Sequence, residues 1–186
     1  MTSAELPEFP VPGDVGEILI TSEQIQARVA ELGHQIASDL AGEVPLLVGI
    51  LKGSALFTAD LMRAVTGPVE IDFMAVSSYG DATKSSGIVR IVKDLDAPVA
   101  GRHVILVEDI VDTGLTLRYL LEHLSAQGPA SLRTCALLIR EERTSREVEV
   151  DYVGFAVPDA FVIGYGLDVA QRYRNLPYIA TYTGPT

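Results

Sequence analysis

A chain of 186 residues, 48% of them apolar, is long enough to bury the core of one domain and too apolar to be disordered or fibrous. Its formal net charge of −11 argues against a nucleic-acid partner, which would need a basic surface, and no apolar run reaches membrane-spanning length. A small phosphorylated ligand stays compatible, because a bound cation and a few basic residues can reverse the field inside one cleft.

The opening MTSAELPEFPVPGDVG is acidic and proline-rich, unlike a signal peptide. It is expected to be a loosely held arm over 1–16, ahead of a single domain over 17–186. Residues 17–20 read as a short strand. Thr21, with Gln24 three residues on, is a helix-start signature, and Ile25, Val29, Leu32, Ile36 and Leu40 recur at helical spacing until about Gly42. Residues 44–51 are continuously apolar, as in a parallel strand covered on both faces. Lys52, Gly53 and Ser54 then turn the chain into a helix over 55–65, followed by a strand over 69–76.

Periodicity stops from 77 to 87, SSYGDATKSSG, a small, polar stretch with two glycines expected to form a long mobile loop. A strand over 88–92 and a turn over 94–102 follow, then a strand over 103–109, a helix over 115–127 and a strand over 132–139. Only short apolar segments remain, 152–157 and 161–165, before a polar tail. The β–α alternation predicts an α/β fold: a twisted, mostly parallel sheet flanked by helices. A small hood, mainly from 140–186, would cover its carboxyl edge, where such sheets bind ligands. Cys135, the single cysteine, sits in an apolar stretch with no partner for an intrachain disulfide, as suits a reducing cytosol. His34, His103 and His123 lack metal-ligand spacing.

The densest chemistry lies in VILVEDIVDTGLTL, residues 104–117. Glu108 and Asp109 close an apolar run with acidic oxygens that can meet a divalent cation or sugar hydroxyls. Asp112, Thr113, Gly114, Leu115 and Thr116 form a turn opening a helix, which can hold a phosphate on backbone N–H groups. A phosphorylated ribose needs both devices. Exposed acids before an ordinary helix, or a receiver-like domain phosphorylated on one aspartate, are the alternatives from the residues alone.

That segment, with its approach KDLDAPVAGRHVILVEDIVDTG over 93–114, resembles the phosphoribosyl pyrophosphate signature of type I phosphoribosyltransferases, and specifically their hypoxanthine/guanine salvage branch. Leu51-Lys52-Gly53 is similar to the family's pyrophosphate loop, Ser78-Tyr79-Gly80 lies at its mobile catalytic loop, and YVGFAVPDAFVIGYGLDVAQRYRNLP over 152–177 resembles its purine-binding and carboxy-terminal pyrophosphate segment.

The resemblance implies a magnesium-dependent transferase. It would convert phosphoribosyl pyrophosphate and hypoxanthine or guanine into IMP or GMP and pyrophosphate, in a homodimer or homotetramer. Glu108, Asp109 and Asp168 would associate with Mg2+, and Asp112–Thr116 would cradle the 5′-phosphate. Lys52, Gly53 and Arg174 would hold pyrophosphate, and Ser78 and Tyr79 would belong to a closing lid. Phe161 would stack on the purine, Val162 would contact it through its backbone, and Asp168 lies in the same purine-binding segment. Asp112 would exchange a proton at purine N7, and a cis peptide is implied at Leu51-Lys52.

Two departures matter. Arg140 stands where the family has a lysine that donates to the purine 6-oxo group, and its planar fork is not interchangeable with an ammonium. Val169 stands where an aromatic residue often follows the aspartate. A xanthine-preferring transferase and a nucleotide-sensing regulator on the same fold are the alternatives.

Overall fold

The apolar runs at 45–51 and 104–107 become strands buried on both faces. The structure, a computed structural model, describes residues 13–78, 89–140 and 149–185. In chain order they form β1 (Val15–Ile20), α1 (Ser22–Asp39), β2 (Pro45–Leu51), α2 (Ala55–Ala64), β3 (Glu70–Ser78), β4 (Val89–Lys93), β5 (His103–Val111), α3 (Leu115–Ser125), β6 (Ser131–Ile139), β7 (Tyr152–Ala156), β8 (Val162–Ile163) and β9 (Ile179–Tyr182).

Six strands make the main sheet in the order β4-β3-β2-β5-β6-β7. All pairs are parallel except β3–β4 at one edge. Side-chain alternation explains why both faces must be apolar. In β5, Val104 and Leu106 join the cluster that holds Leu117, Leu120 and Leu124 of α3. Ile105 and Val107 join the opposite cluster, with Ile25, Val29 and Leu32 of α1 and Phe57 and Leu61 of α2. Each buried side chain of this size stabilises the fold by about 1.5–3 kcal/mol relative to exposure.

The start of α1 is fixed by the reciprocal cap expected from sequence: the Gln24 N–H donates to Thr21 Oγ1 (3.3 Å) and the Thr21 N–H donates to Gln24 Oε1 (2.8 Å). From β2 the chain moves outward to β3, then returns to lay β5 on the other side of β2. This reversal of strand order opens a crevice at the carboxyl ends of β2 and β5.

A second, three-stranded sheet, β1-β9-β8, turns Ile20, Val162 and Ile179 into the core shared with α1 and α2 and encloses a small core of its own from Val15, Ile163, Leu176 and Ala180. Its composition differs from expectation. The boundary drawn after residue 16 falls inside β1, so the hood takes one strand from the beginning of the chain. Conversely, β7 joins the main sheet beside β6 rather than the hood. Ser77 and Ser78, expected in a loop, extend β3 and pair with Arg90 and Val89; Tyr79 and the rest of that stretch to residue 88 lie outside the described residues. Among the described residues no helix is long and apolar enough to cross a membrane.

Candidate active site

Because β2 and β5 are neighbours, the loops that follow them meet at one rim. Lys52 and Gly53 leave β2; Asp112, Thr113 and Gly114 leave β5, and Leu115 and Thr116 begin α3. With Glu108, Asp109, Asp168 and Arg174 they line one cavity of about 340 Å³. β5 runs on to Val111, two residues past the expected end, so both carboxylates lie within the strand rather than at its close. Both line the cavity, and the regular alternation of β5 slips across them: Ile110 packs with the cluster of Ile105 and Val107, and Val111 joins the cluster of Val104 and Leu106.

The rim is packed backbone to side chain. A Cβ at Gly53 would overlap the Asp109 carboxylate, and a Cβ at Gly166, where φ is 101°, would overlap the Gly53 carbonyl oxygen. The expected cis peptide is present between Leu51 and Lys52. Gly114 adopts φ 82° as the N-cap of α3 and has no side chain to cap it; the Leu115 N–H donates only weakly, to Thr113 Oγ1 at 3.5 Å, and no acidic residue occupies the first turn. The first N–H groups of α3 and the positive end of its dipole therefore meet the cavity, which suits a phosphate.

Electrostatically the cavity is divided. Burial pushes the Glu108 carboxyl well above its ordinary range, and the neighbouring Asp109 adds to this. Asp109 is also raised, mainly by burial and further by Asp168, against backbone hydrogen bonds and Arg174 that lower it. Arg174 pairs with Asp168 (Nη2 to Oδ1, 2.6 Å) and donates to the Gly166 carbonyl (2.6 Å). Lys52 Nζ and Arg174 Nη2 both donate to Gln171 Oε1, at 3.1 and 3.3 Å.

The carboxylates do not form a protein cage for a metal: among the described residues, no group of three or more His, Cys, Asp or Glu is disposed to hold one. Glu108, Asp109 and Asp168, the residues expected to associate with Mg2+, all line the cavity, with Asp168 paired to Arg174. Raised, crowded carboxylates are still hard oxygen donors that a divalent cation would relieve. Magnesium typically takes only one or two protein carboxylates, with water and substrate oxygens completing its shell.

The buried acid has a consequence for stability. Its folded-state pKa lies above the ordinary 4.5, so its contribution is complete below that value and is lost as pH rises through the folded-state pKa. Glu108→Gln, which cannot ionise, should therefore raise Tm near neutral pH by roughly 2–4 °C, the shift that about 1 kcal/mol produces at this chain length. The gain should shrink toward about pH 4. Thermal unfolding across that range checks it; an equal or lower Tm at neutral pH would show that Glu108 is not a destabilising charge.

A second cavity of about 190 Å³ adjoins the first and shares Asp109, Ile110 and Asp168 with it; Arg140, Phe161, Val162 and Leu167 complete the lining. Phe161 is 45% exposed and leans on Tyr182, ring centroids 5.9 Å apart and tilted by 58°. An aromatic face left open beside a cavity is suited to stacking on a flat heterocycle. Arg140 is braced by protein acceptors: Nη2 donates to the Ala160 carbonyl (2.8 Å), and Nη1 lies 3.4 Å from Asp159 Oδ1 and 3.8 Å from Asp112 Oδ2.

The structure thus draws the predicted residues of 52–53, 108–116, 140, 161–162, 168 and 174 onto two joined cavities. Ser78 ends β3, and Tyr79 lies outside the described residues. Sequence reasoning missed Gln171 between the two cations and Asp159 beside Arg140. Only the spacing of Gln171, three residues from both Asp168 and Arg174, hinted at a shared turn.

The model of the phosphoribosyl transferase domain matches residues 17–170. A hypoxanthine-guanine phosphoribosyltransferase of Mycobacterium tuberculosis is 52% identical over 176 residues, covering 91% of this chain and 87% of that protein. Its counterpart in Bacillus subtilis is 49% identical over 166 residues, covering 89% and 92%. Among solved structures, a hypoxanthine-guanine phosphoribosyltransferase from Bacillus anthracis superposes with a TM-score of 0.86 at 46% identity, over 90% of this chain and 98% of that one.

Proposed function

The chain belongs to the phosphoribosyltransferase family, and on that premise we propose that it moves the phosphoribosyl group of phosphoribosyl pyrophosphate onto N9 of hypoxanthine or guanine. The products are IMP or GMP and pyrophosphate. The observation that carries this reading is the pair of joined cavities with Asp109, Ile110 and Asp168 as their common wall. One is lined by a helix N-terminus with no acidic residue in its first turn, carboxylates and two cations, as an activated sugar phosphate requires. The other offers an aromatic face and a guanidinium, as a purine requires. The reacting C1′ would lie where they meet.

In this reaction the bond from C1′ to the pyrophosphate oxygen breaks as N9 attacks C1′, and the purine sheds a proton. Backbone N–H groups of 113–116 and the hydroxyls of Thr113 and Thr116 bind the 5′-phosphate. Lys52, the Gly53 N–H and Arg174 receive the negative charge that grows on pyrophosphate. Asp112 accepts the proton at purine N7. Phe161 stacks on the base, the Val162 backbone contacts its edge, and Arg140 faces its 6-oxo group. Mg2+ would be held by Glu108, Asp109 and Asp168 together with substrate oxygens, and would supply further charge neutralisation at the pyrophosphate and ribose.

Ser78 and Tyr79 are assigned to a lid that excludes water from the sugar cation. We place the enzyme in the cytosol, where its buried Cys135 stays reduced. A homodimer or homotetramer would cover exposed apolar side chains such as Leu56, Ile71 and Val92.

The test is product formation from phosphoribosyl pyrophosphate with hypoxanthine, guanine, xanthine or adenine, with and without Mg2+. IMP and GMP should form, and only with the metal. A product from xanthine alone would reassign the base preference to the Arg140 environment, and no nucleotide from any base would overturn the reading. In the same assay Phe161→Ala should raise KM for hypoxanthine about tenfold, within the roughly 1–3 kcal/mol that stacking one base contributes. KM for phosphoribosyl pyrophosphate should stay within about twofold. An unchanged hypoxanthine KM would remove Phe161 from the base site.

A further inference from the structure

The two cations assigned to pyrophosphate come from distant parts of the chain, yet one oxygen collects them. Lys52 Nζ and Arg174 Nη2 donate to the same atom, Gln171 Oε1. Gln171 is an exposed side chain, but its main chain is tightly specified. Its N–H donates to Asp168 Oδ2 at 2.7 Å, and Ala170, Gln171 and Tyr173 take φ values of 48°, 66° and 73°. Three non-glycine residues in the left-handed region within four positions mark a turn held against its backbone preference by surrounding contacts.

We propose that Gln171 is a positioning residue for the pyrophosphate half of the substrate. Its side-chain carbonyl gathers Lys52 and Arg174 on the point where a phosphoryl oxygen arrives, and yields that point to it. Two like charges aimed at one spot repel, and both side chains are long and rich in rotamers. An acceptor oxygen between them offsets the repulsion and fixes both tips in advance, so less ordering remains when the polyanion binds. The same turn ties Asp168 to the arrangement: its two carboxylate oxygens are divided between Arg174 and the Gln171 N–H. The reaching groups of the pyrophosphate seat are thus one hydrogen-bonded unit with Gln171 at its centre.

This inference rests on the transferase reading, and the experiment separates the two. Binding of inorganic pyrophosphate with Mg2+ is measured by calorimetry for wild type, Gln171→Met and Gln171→Glu, alongside KM for phosphoribosyl pyrophosphate and kcat for IMP formation. Methionine keeps the length and removes the acceptor; glutamate restores an oxygen. Gln171→Met should weaken pyrophosphate binding and raise KM by about 5–20-fold, the cost of leaving two rotamer-rich side chains to be ordered on binding, with kcat changed by less than about threefold. Gln171→Glu should return both to within about threefold of wild type.

Wild-type-like binding by Gln171→Met overturns the proposal, as does a Gln171→Glu variant no better than methionine. A wild-type chain that makes no nucleotide overturns the transferase reading itself.

Discussion

Asp112→Asn is expected to lower kcat for IMP formation by about 10²–10⁴-fold, the range for a positioned acid–base group. Asp112 stands just past the end of β5, lines the cavity of the phosphate loop, and lies 3.8 Å from the Arg140 guanidinium, which lines the adjoining one. Asp109 and Asp168 line both cavities as well, but the proposed mechanism gives them to Mg2+. Asparagine keeps the shape and one acceptor oxygen but cannot take up a proton. Arg140 keeps Asp159 at 3.4 Å and the Ala160 carbonyl at 2.8 Å, so the base cavity should hold its form. KM values should accordingly move by only a few-fold while the single-turnover rate falls. A near-normal single-turnover rate would exclude Asp112 as the proton acceptor.

The parts of the fold visible in the sequence were those whose cause is local or periodic. Apolar runs such as 44–51 had to be strands covered on both faces, and Leu46 and Leu47 indeed enter opposite clusters. The Thr21–Gln24 cap is a contact between residues three apart. The hood was only partly legible because its bonds join the ends of the chain. Val15 pairs with Tyr182, and β8 is two residues long, too short to express a period.

The site divides the same way. Residues 108–116 could be read as a unit because phosphate loop and carboxylates are contiguous. By contrast, the gathering of Lys52 and Arg174 by Gln171, and the bracing of Arg140 by Asp159 and Ala160, depend on packing between separate segments. The pairing of Asp168 with Arg174, which ties one of the three expected metal carboxylates to a cation, likewise depends on how the turn between them folds.

Gly53→Ala should lower kcat/KM for phosphoribosyl pyrophosphate by roughly 10²-fold, the penalty of a displacement of about 1 Å among positioned groups. The new methyl group has one obstacle, the Asp109 carboxylate, whose oxygens and Cγ are the atoms it would meet. On its other side Gly53 is held by the hood, because its carbonyl oxygen lies where Gly166 would carry a Cβ. The loop therefore cannot withdraw, and Asp109 must turn away from the wall it shares with the base cavity. Burial makes that rotation costly, and it disturbs the balance among Asp109, Asp168 and Arg174. The mechanism makes a sharper demand than lost activity. In an Asp109→Ala background the obstacle is gone, so Gly53→Ala should cost far less there than in wild type, a non-additivity that a double-mutant cycle on kcat/KM resolves. Strict additivity would mean that the methyl group obstructs the pyrophosphate itself rather than Asp109. Loss of thermal stability in place of activity would mean that the contact serves the fold.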